Sequence, residues 1–470
     1  MNQFEKKILM SGAVKALDYI QNIEARRVAP SEDALENLRA FEEDLPTKGT
    51  DALHNIEFLD EYGAPATMGS NGSRYYGFVI GGSHPAALAA NWMASAWDQN
   101  SGLVATSPVN AKIEEVVEKW ITSILPVAKG AGVGFVTGVT MANFCALAAA
   151  RTAILSDQGW DVESKGLFQA PAITVVVGEE AHGSLMKALS MLGLGRDRVI
   201  RIPTDNNGRM RTELLPQLNS RTILCMQAGN VNTGGMDDGR IIAGAKAQGA
   251  WIHIDGAFGL WAGASTLKKH LTVGYELADS WATDGHKWLN VPYDSGLVIC
   301  KDRNHLRKAM SMHGDYLDQS GGRIPYQYTP ELSRRARAVD IWAAMRTLGH
   351  EGIDELVTRT CSFAEYLALQ IGKAGFRILN EVQTNQVLVS FEEDTQHVIN
   401  EIQSDGTCWC GETIWKGEPA MRISVSSVKT SEYDIRKSLE AILRAAGSPL
   451  LGAERPQWSK PPGTRGDVIR

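Results

Sequence analysis

Apolar and polar positions recur along this chain in two periods. From Ser107 to Ile124 the apolar set Ile113, Val116, Val117, Trp120, Ile121 and Ile124 falls at i, i+3, i+4 and i+7, which predicts an amphipathic helix. Ser107 stands at its N-cap and Pro108 in its first turn, where a missing N–H costs nothing. In the middle of the chain the period changes. The short runs Gly134–Thr137, Ile173–Val177, Thr222–Gln227, Trp251–Ile254 and Trp281–Thr283 are largely apolar or β-branched, as strands covered on both faces are. Helical segments between them mark βαβ crossovers and predict an α/β fold with a mostly parallel sheet flanked by helices.

The ends of the chain have other textures. Residues 1–70 read as a helical, amphipathic N-terminal segment, interrupted at Asp44-Leu45-Pro46 and Gly63-Ala64-Pro65. Residues 71–348 form the large α/β domain, closing on a helix over Arg334–Leu348. Residues 349–447 form a smaller α/β domain with strands Val387–Phe391, Cys408–Cys410 and Met421–Val425 and helices Gln396–Gln403 and Ser431–Ala446. The proline-bearing stretch 448–470 reads as an extended tail. There is no internal repeat.

Composition narrows the function classes. The net charge of −7, without a long basic run, gives no electrostatic footprint for nucleic acid. Six cysteines in 470 residues are too sparse for a disulfide scaffold and suit a reducing, cytoplasmic compartment. The N-terminus shows no signal-peptide pattern. The uncharged stretch 130–150 has the length of a membrane span, but its glycines, threonines and Asn143 read as strand, turn and small-residue helix, so no membrane association is expected.

In parallel sheets ligands sit beyond the carboxyl ends of the strands, and four of these ends carry unusual residues. Gly138-Val139-Thr140 opens a helix, and free N–H groups at a helix start favour a phosphate. Glu179-Glu180-Ala181-His182 offers an imidazole for stacking or proton transfer. Asp255-Gly256-Ala257 offers a half-buried anion with room above it. Asp284-Gly285-His286-Lys287-Trp288 offers a poorly solvated lysine, a candidate amine nucleophile. A phosphate turn, a stacking ring, an anion for a protonated ring nitrogen and an amine for an aldehyde together match the needs of pyridoxal 5′-phosphate.

The motifs HIDGAFG (His253–Gly259), DGHKW (Asp284–Trp288), EEAHGS (Glu179–Ser184) and TGVTMANFCALAAAR (Thr137–Arg151) resemble those of the group II amino-acid decarboxylases, fold-type I pyridoxal-phosphate enzymes. SRRARAVDIW (Ser333–Trp342) and RYYGFVIGGSHP (Arg74–Pro85) support the likeness, which spans roughly residues 70–447. The resemblance implies that Lys287 holds the cofactor's aldehyde, that Asp255 pairs with its ring nitrogen, and that Ala257 and His182 lie against the two ring faces. It implies phosphate contacts at Val139 and Thr140 and cofactor contacts at Asn230 and His286. Asp284 occupies a position often filled by Asn, and an acid beside a phosphate dianion repels it.

For the substrate, the resemblance implies a pocket lined by Phe78, Val79 and Ile80, an L-amino acid with an aromatic or other apolar side chain, and Arg422 facing a carboxylate. It also implies a homodimer with the active site at the interface, Phe78 and Leu103 reaching toward the neighbouring subunit. A tyrosine on a mobile loop donates the final proton; of Tyr316, Tyr326 and Tyr328, Tyr326 is the first choice and Tyr328 the second. Three rivals stand beside this reading. His253-x-Asp255 and Asp284-x-His286 also have metal-ligand spacing, as in hydrolases, but that leaves Lys287 unexplained. A lyase or aminotransferase of the same fold, or a non-catalytic relative, are the others. Cys408-x-Cys410 lacks the partners a metal site needs.

Overall fold

The computed structural model describes residues 1–312 and 323–448. Seven strands form the central sheet: β1 (Gly132–Val136), β2 (Thr174–Gly178), β3 (Ile200–Ile202), β4 (Thr222–Gln227), β5 (Trp251–Asp255), β6 (Ser280–Asp284) and β7 (Gly296–Cys300), in the order β1-β7-β6-β5-β4-β2-β3. β3, β2, β4, β5 and β6 pair in parallel, whereas β7 runs antiparallel to both β6 and β1. The five predicted strands are present to within a residue or two. β7 is an addition: Gly-Leu-Val-Ile-Cys returns directly after the 285–295 loop, inserting between β6 and β1.

The sheet is buried on both faces, which is why its strands read as continuous apolar runs. On one face lies helix Val139–Asp157, packed against β5, β6 and β7. This helix is long and apolar enough to cross a membrane by composition, but it is mostly buried inside the protein core. On the other face Val117 and Ile121 of helix Pro108–Ile124 join a core with Trp261, Trp281 and Trp288. That helix starts as predicted, but the Ser107 hydroxyl donates to Gln99 Oε1 at 2.8 Å and makes no capping bond.

A second, antiparallel sheet follows: β8 (Arg377–Ile378), β9 (Gln386–Ser390), β10 (Gly411–Trp415) and β11 (Glu418–Ser424), in the order β10-β11-β9-β8. It packs with helices Arg337–Lys373, Thr395–Asp405 and Glu432–Ala445 around its own core. The expected strand over Cys408–Cys410 is absent. Trp409 instead makes a single bridge to Tyr75, and the strand begins at Gly411. The expected helix Arg334–Leu348 starts at Arg337 and meets a second helix at Gly349, whose φ of 61° interrupts the helical geometry. All six cysteines are free and buried.

Candidate active site

The carboxyl ends of β1, β5 and β6 converge as the pattern predicts. The turn after β1 is flattened against β7: a Cβ on Gly296 would lie 2.4 Å from Gly138 Cα, so only glycine allows the approach. This places the start of helix Val139–Asp157 beside Asp284, whose Oδ1 accepts the Val139 N–H at 2.7 Å. The other carboxylate oxygen lies 3.0 Å from Lys287 Nζ and 3.5 Å from His286 Nε2. Lys287 thus has an acid as its partner, and Trp288 points away, its indole N–H donating to Thr360. His286 stacks on Tyr293 with ring centres 4.2 Å apart, and its Nδ1 accepts the Ser295 N–H. Burial lowers the His286 pKa, against the pull of Asp284. The Thr140 hydroxyl is exposed in the first turn of the helix.

Asp255 closes β5 and is buried. Its Oδ2 accepts from Asn143 Nδ2 at 2.9 Å. Burial pushes its carboxyl up, while the charges of His182 and Lys287 and the Asn143 hydrogen bond pull it down. Asp255 and His182 line the same small cleft, together with Leu185 and Gln227. His182 caps helix Gly183–Met191, its Nδ1 accepting the Ser184 N–H, which fixes the plane of the imidazole. Desolvation lowers the His182 pKa, against the pull of Asp255, while Lys287 and Arg422 lower it further. Ala257 sits at the same strand end, half-buried, its carbonyl accepting the Asp284 N–H.

The metal reading fails on geometry. Both His253 nitrogens are engaged, Nδ1 with Ser280 Oγ at 3.0 Å and Nε2 with Asn143 Oδ1 at 2.9 Å, so no lone pair is free. Among the described residues no group of three or more His, Cys, Asp or Glu side chains is placed to hold a metal ion.

Other expected site residues are placed differently. Phe78 and Val79 both have positive φ, 53° and 61°, and this sharp turn sends their side chains apart. Phe78 is exposed and stacks on Trp409, whereas Val79 is wholly buried in the main core; Ile80 is half-buried. Trp409 also stacks on Tyr75, making a three-ring row, and the Arg422 guanidinium lies 5.6 Å from the Phe78 ring. Arg422 donates to Val231 O and Asn232 Oδ1, and its buried Nε has no partner. Asn230 uses its side chain to shape its own loop, accepting from the Asn232 and Thr233 N–H groups and donating to Gln227 and Glu180.

Tyr326 and Tyr328 lie in a packed 3-10 turn, Pro325–Tyr328, and not on an open loop. Tyr326 is buried with Leu103, Ile324 and Leu332, and Tyr328 lies beneath the Arg323 guanidinium. The physical reason is charge: Arg323 and Arg334 ion-pair with the buried Glu114 and Glu118 and tie the turn to helix Pro108–Ile124. Tyr316 falls outside the described residues. Asn143, Trp409 and Tyr293 were not singled out from sequence, because nothing local distinguishes them from packing residues.

Residues 39–393 match the pyridoxal-dependent decarboxylase conserved domain. The chain belongs to this family. It is a pyridoxal-phosphate-dependent carboxy-lyase acting on an amino acid. Among curated relatives, it is 26% identical over 372 residues to an aromatic-L-amino-acid decarboxylase of Bacillus atrophaeus, covering 76% of this chain and 75% of that one. It is 33% identical over 254 residues to an aspartate 1-decarboxylase of Aliivibrio fischeri, covering 50% of this chain and 46% of that one. The fold matches the crystal structure of mouse CSAD, with a TM-score of 0.85 at 20% identity over 94% of this chain and 98% of that one. It equally matches Oryza sativa TDC with PLP and tryptamine, with a TM-score of 0.85 at 19% identity over 95% and 98%.

This decarboxylase carries a donor set that fits its cofactor. An amine, a buried carboxylate, an imidazole and an exposed threonine at a helix start stand at neighbouring strand ends.

Proposed function

We propose that this enzyme decarboxylates an L-amino acid with an aromatic or other apolar side chain, releasing the amine and carbon dioxide. The observation that carries the substrate class is the row of three rings, Tyr75, Trp409 and Phe78, beside Arg422. Stacked aromatics offer a flat apolar surface, and a ring buried against them is worth about 0.5–1.5 kcal/mol beyond its area. Arg422 supports a second reading. Its unpaired buried Nε suits an additional carboxylate, as an acidic side chain would bring.

Pyridoxal 5′-phosphate supplies, when bound, an electron sink for the pair left behind as carbon dioxide departs. The residues divide the remaining work. Lys287 is the amine that holds the aldehyde, and Asp284 beside it keeps Nζ within the site. The Thr140 hydroxyl holds the phosphate, with His286 behind the turn; the Val139 N–H, expected from sequence to share that role, is taken by Asp284 Oδ1. Asp255 keeps a proton on the ring nitrogen. His182 presents a flat, neutral ring on one face, with Ala257 on the other. Asn230 reaches the cofactor only through the loop it shapes. Tyr326 is the proton donor, and Phe78 and Leu103 reach toward a second copy in a homodimer with the active site at the interface. Six buried, free cysteines suit a reducing compartment, and we place the enzyme in the cytoplasm.

The test is a comparison of kcat/KM for carbon dioxide release from L-phenylalanine, L-tryptophan, L-aspartate and L-glutamate. The aromatic reading expects the first pair to exceed the second by at least tenfold. The reverse order favours the acidic reading and overturns this one.

A further inference from the structure

Alternate residues of β5, Trp251, His253 and Asp255, share one face of the strand. They are linked there through two residues from other elements. Trp251 Nε1 lies 3.0 Å from Ser280 Oγ, and Ser280 Oγ lies 3.0 Å from His253 Nδ1. His253 Nε2 lies 2.9 Å from Asn143 Oδ1, and Asn143 Nδ2 lies 2.9 Å from Asp255 Oδ2. All five side chains are buried, and Asn143, His253 and Ser280 have no exposed surface.

The two ends determine the direction of every hydrogen bond between them. An indole N–H only donates, and a carboxylate only accepts. Asn143 must therefore turn its NH₂ to Asp255 and its carbonyl to His253. That carbonyl requires a proton on His253 Nε2. Burial drives the His253 pKa down to about 3, so the ring is neutral and Nδ1 is bare. Nδ1 then accepts the Ser280 hydroxyl proton, and Ser280 accepts from Trp251. Four donors in series point at one carboxylate oxygen, and in a low dielectric each polarises the next.

We infer that Asn143 and His253 are positioning residues, forming with Ser280 and Trp251 a one-way relay that holds Asp255 as a carboxylate and leaves its other oxygen for the cofactor's ring nitrogen. The relay rests on the assignment of Asp255 to that nitrogen. It resolves a conflict in the site: burial alone favours a protonated Asp255, and an acid that keeps its own proton leaves the ring nitrogen neutral and the electron sink weak. His253 serves as a neutral spacer of fixed tautomer, not as an acid, a base or a ligand.

Two nitrogen NMR measurements test this on the full chain. In the unmodified protein without cofactor, the ¹⁵N shifts of His253 should show Nε2 protonated and Nδ1 bare, unchanged between pH 6 and 8.5. A protonated Nδ1, or a titration in that range, overturns the relay whatever Asp255 does. In the holoenzyme carrying ¹⁵N-labelled pyridoxal phosphate, the ring nitrogen should be protonated, and Asn143→Leu should shift it toward the neutral form. With that shift kcat should fall about 10- to 100-fold with little change in KM, the loss of one hydrogen bond to a buried charge. Asn143→Ser, which restores a donor, should recover part of both. An unmoved ring signal in a folded Asn143→Leu enzyme overturns the relay and leaves Asp255 in place. A neutral ring in the unmodified holoenzyme overturns the Asp255 assignment itself. Should Asn143→Leu fail to fold, the His253 shifts still decide.

Discussion

Lys287 Nζ lies 3.0 Å from Asp284 Oδ2, while Oδ1 of the same carboxyl group accepts the Val139 N–H. One acid therefore joins the amine proposed to hold the cofactor to the turn proposed for its phosphate. A negative charge there orients the lysine and opposes a phosphate dianion. Asp284→Asn keeps an acceptor for Val139 and removes the charge. Even at the dielectric of bulk water, one like charge about 5 Å from a dianion costs on the order of 1–2 kcal/mol. Asp284→Asn should thus retain pyridoxal phosphate about tenfold more tightly in a fluorescence titration. Equal or weaker retention would show that the phosphate does not sit at this turn.

Acid stability should report the buried His253. Its folded pKa is about 3, well below the ordinary 6.5. Between these values the unfolded chain binds a proton that the folded chain does not, so folding loses stability as pH falls through that window. Against His253→Asn, the wild type should lose ~1.4 kcal/mol of its relative stability per pH unit below about 6. Chemical denaturation of both proteins between pH 4.5 and 7 reads this directly. A difference that does not change with pH would mean that His253 is charged in the folded protein.

Tyr326 sits in a turn pinned by Arg323 and Arg334, packed beside Leu103. As a proton donor it needs only its hydroxyl, and phenylalanine preserves the packing. Tyr326→Phe should let carbon dioxide leave at a rate near that of the wild type while amine yield falls at least tenfold. Dioxygen then takes the electron pair, becoming hydrogen peroxide, and water hydrolyses the resulting imine to aldehyde and ammonia. Amine formation at the wild-type rate would place the donor elsewhere.

The first helix, Gln3–Gln21, buries none of its residues within the subunit, although Met10, Val14 and Leu17 recur at i, i+4 and i+7 and are exposed. Helix Pro85–Trp97 likewise exposes Trp92, Met93 and Trp97. Apolar faces of this kind mark an interface. Val14→Glu with Leu17→Glu should convert a dimer to monomers in sedimentation velocity and reduce activity at least tenfold. A fully active monomer would contradict an interfacial site.

Much of this architecture is written in local pattern. Thr222–Gln227 coincides with β4 because an apolar run buried on both faces has no other reading at that length. Lys287, His182 and Asp255 stand out as candidates because they lie at or just after strand ends. What depends on distant chain is not. Asn143 lies 110 positions from His253 and 112 from Asp255, so the relay exists only once helix Val139–Asp157 packs on β5. Val79 reads as a pocket residue until its backbone turn, with φ of 61°, carries it into the core. Cys408–Cys410 alternates like a strand, but the Tyr75 bridge takes Trp409 out of the sheet. β7 is an apolar run like the others, and its antiparallel direction follows from the short return at 285–295.

The central claim is that Lys287 and its neighbours remove the carboxylate of an apolar amino acid. The direct measurement is product stoichiometry with carboxyl-labelled L-phenylalanine or L-tryptophan and the pyridoxal-phosphate-loaded enzyme. The account predicts labelled carbon dioxide and the corresponding amine in a one-to-one ratio, with both lost in Lys287→Ala along with the yellow colour of the bound cofactor. A keto acid with no labelled carbon dioxide, or turnover that survives Lys287→Ala, would contradict it.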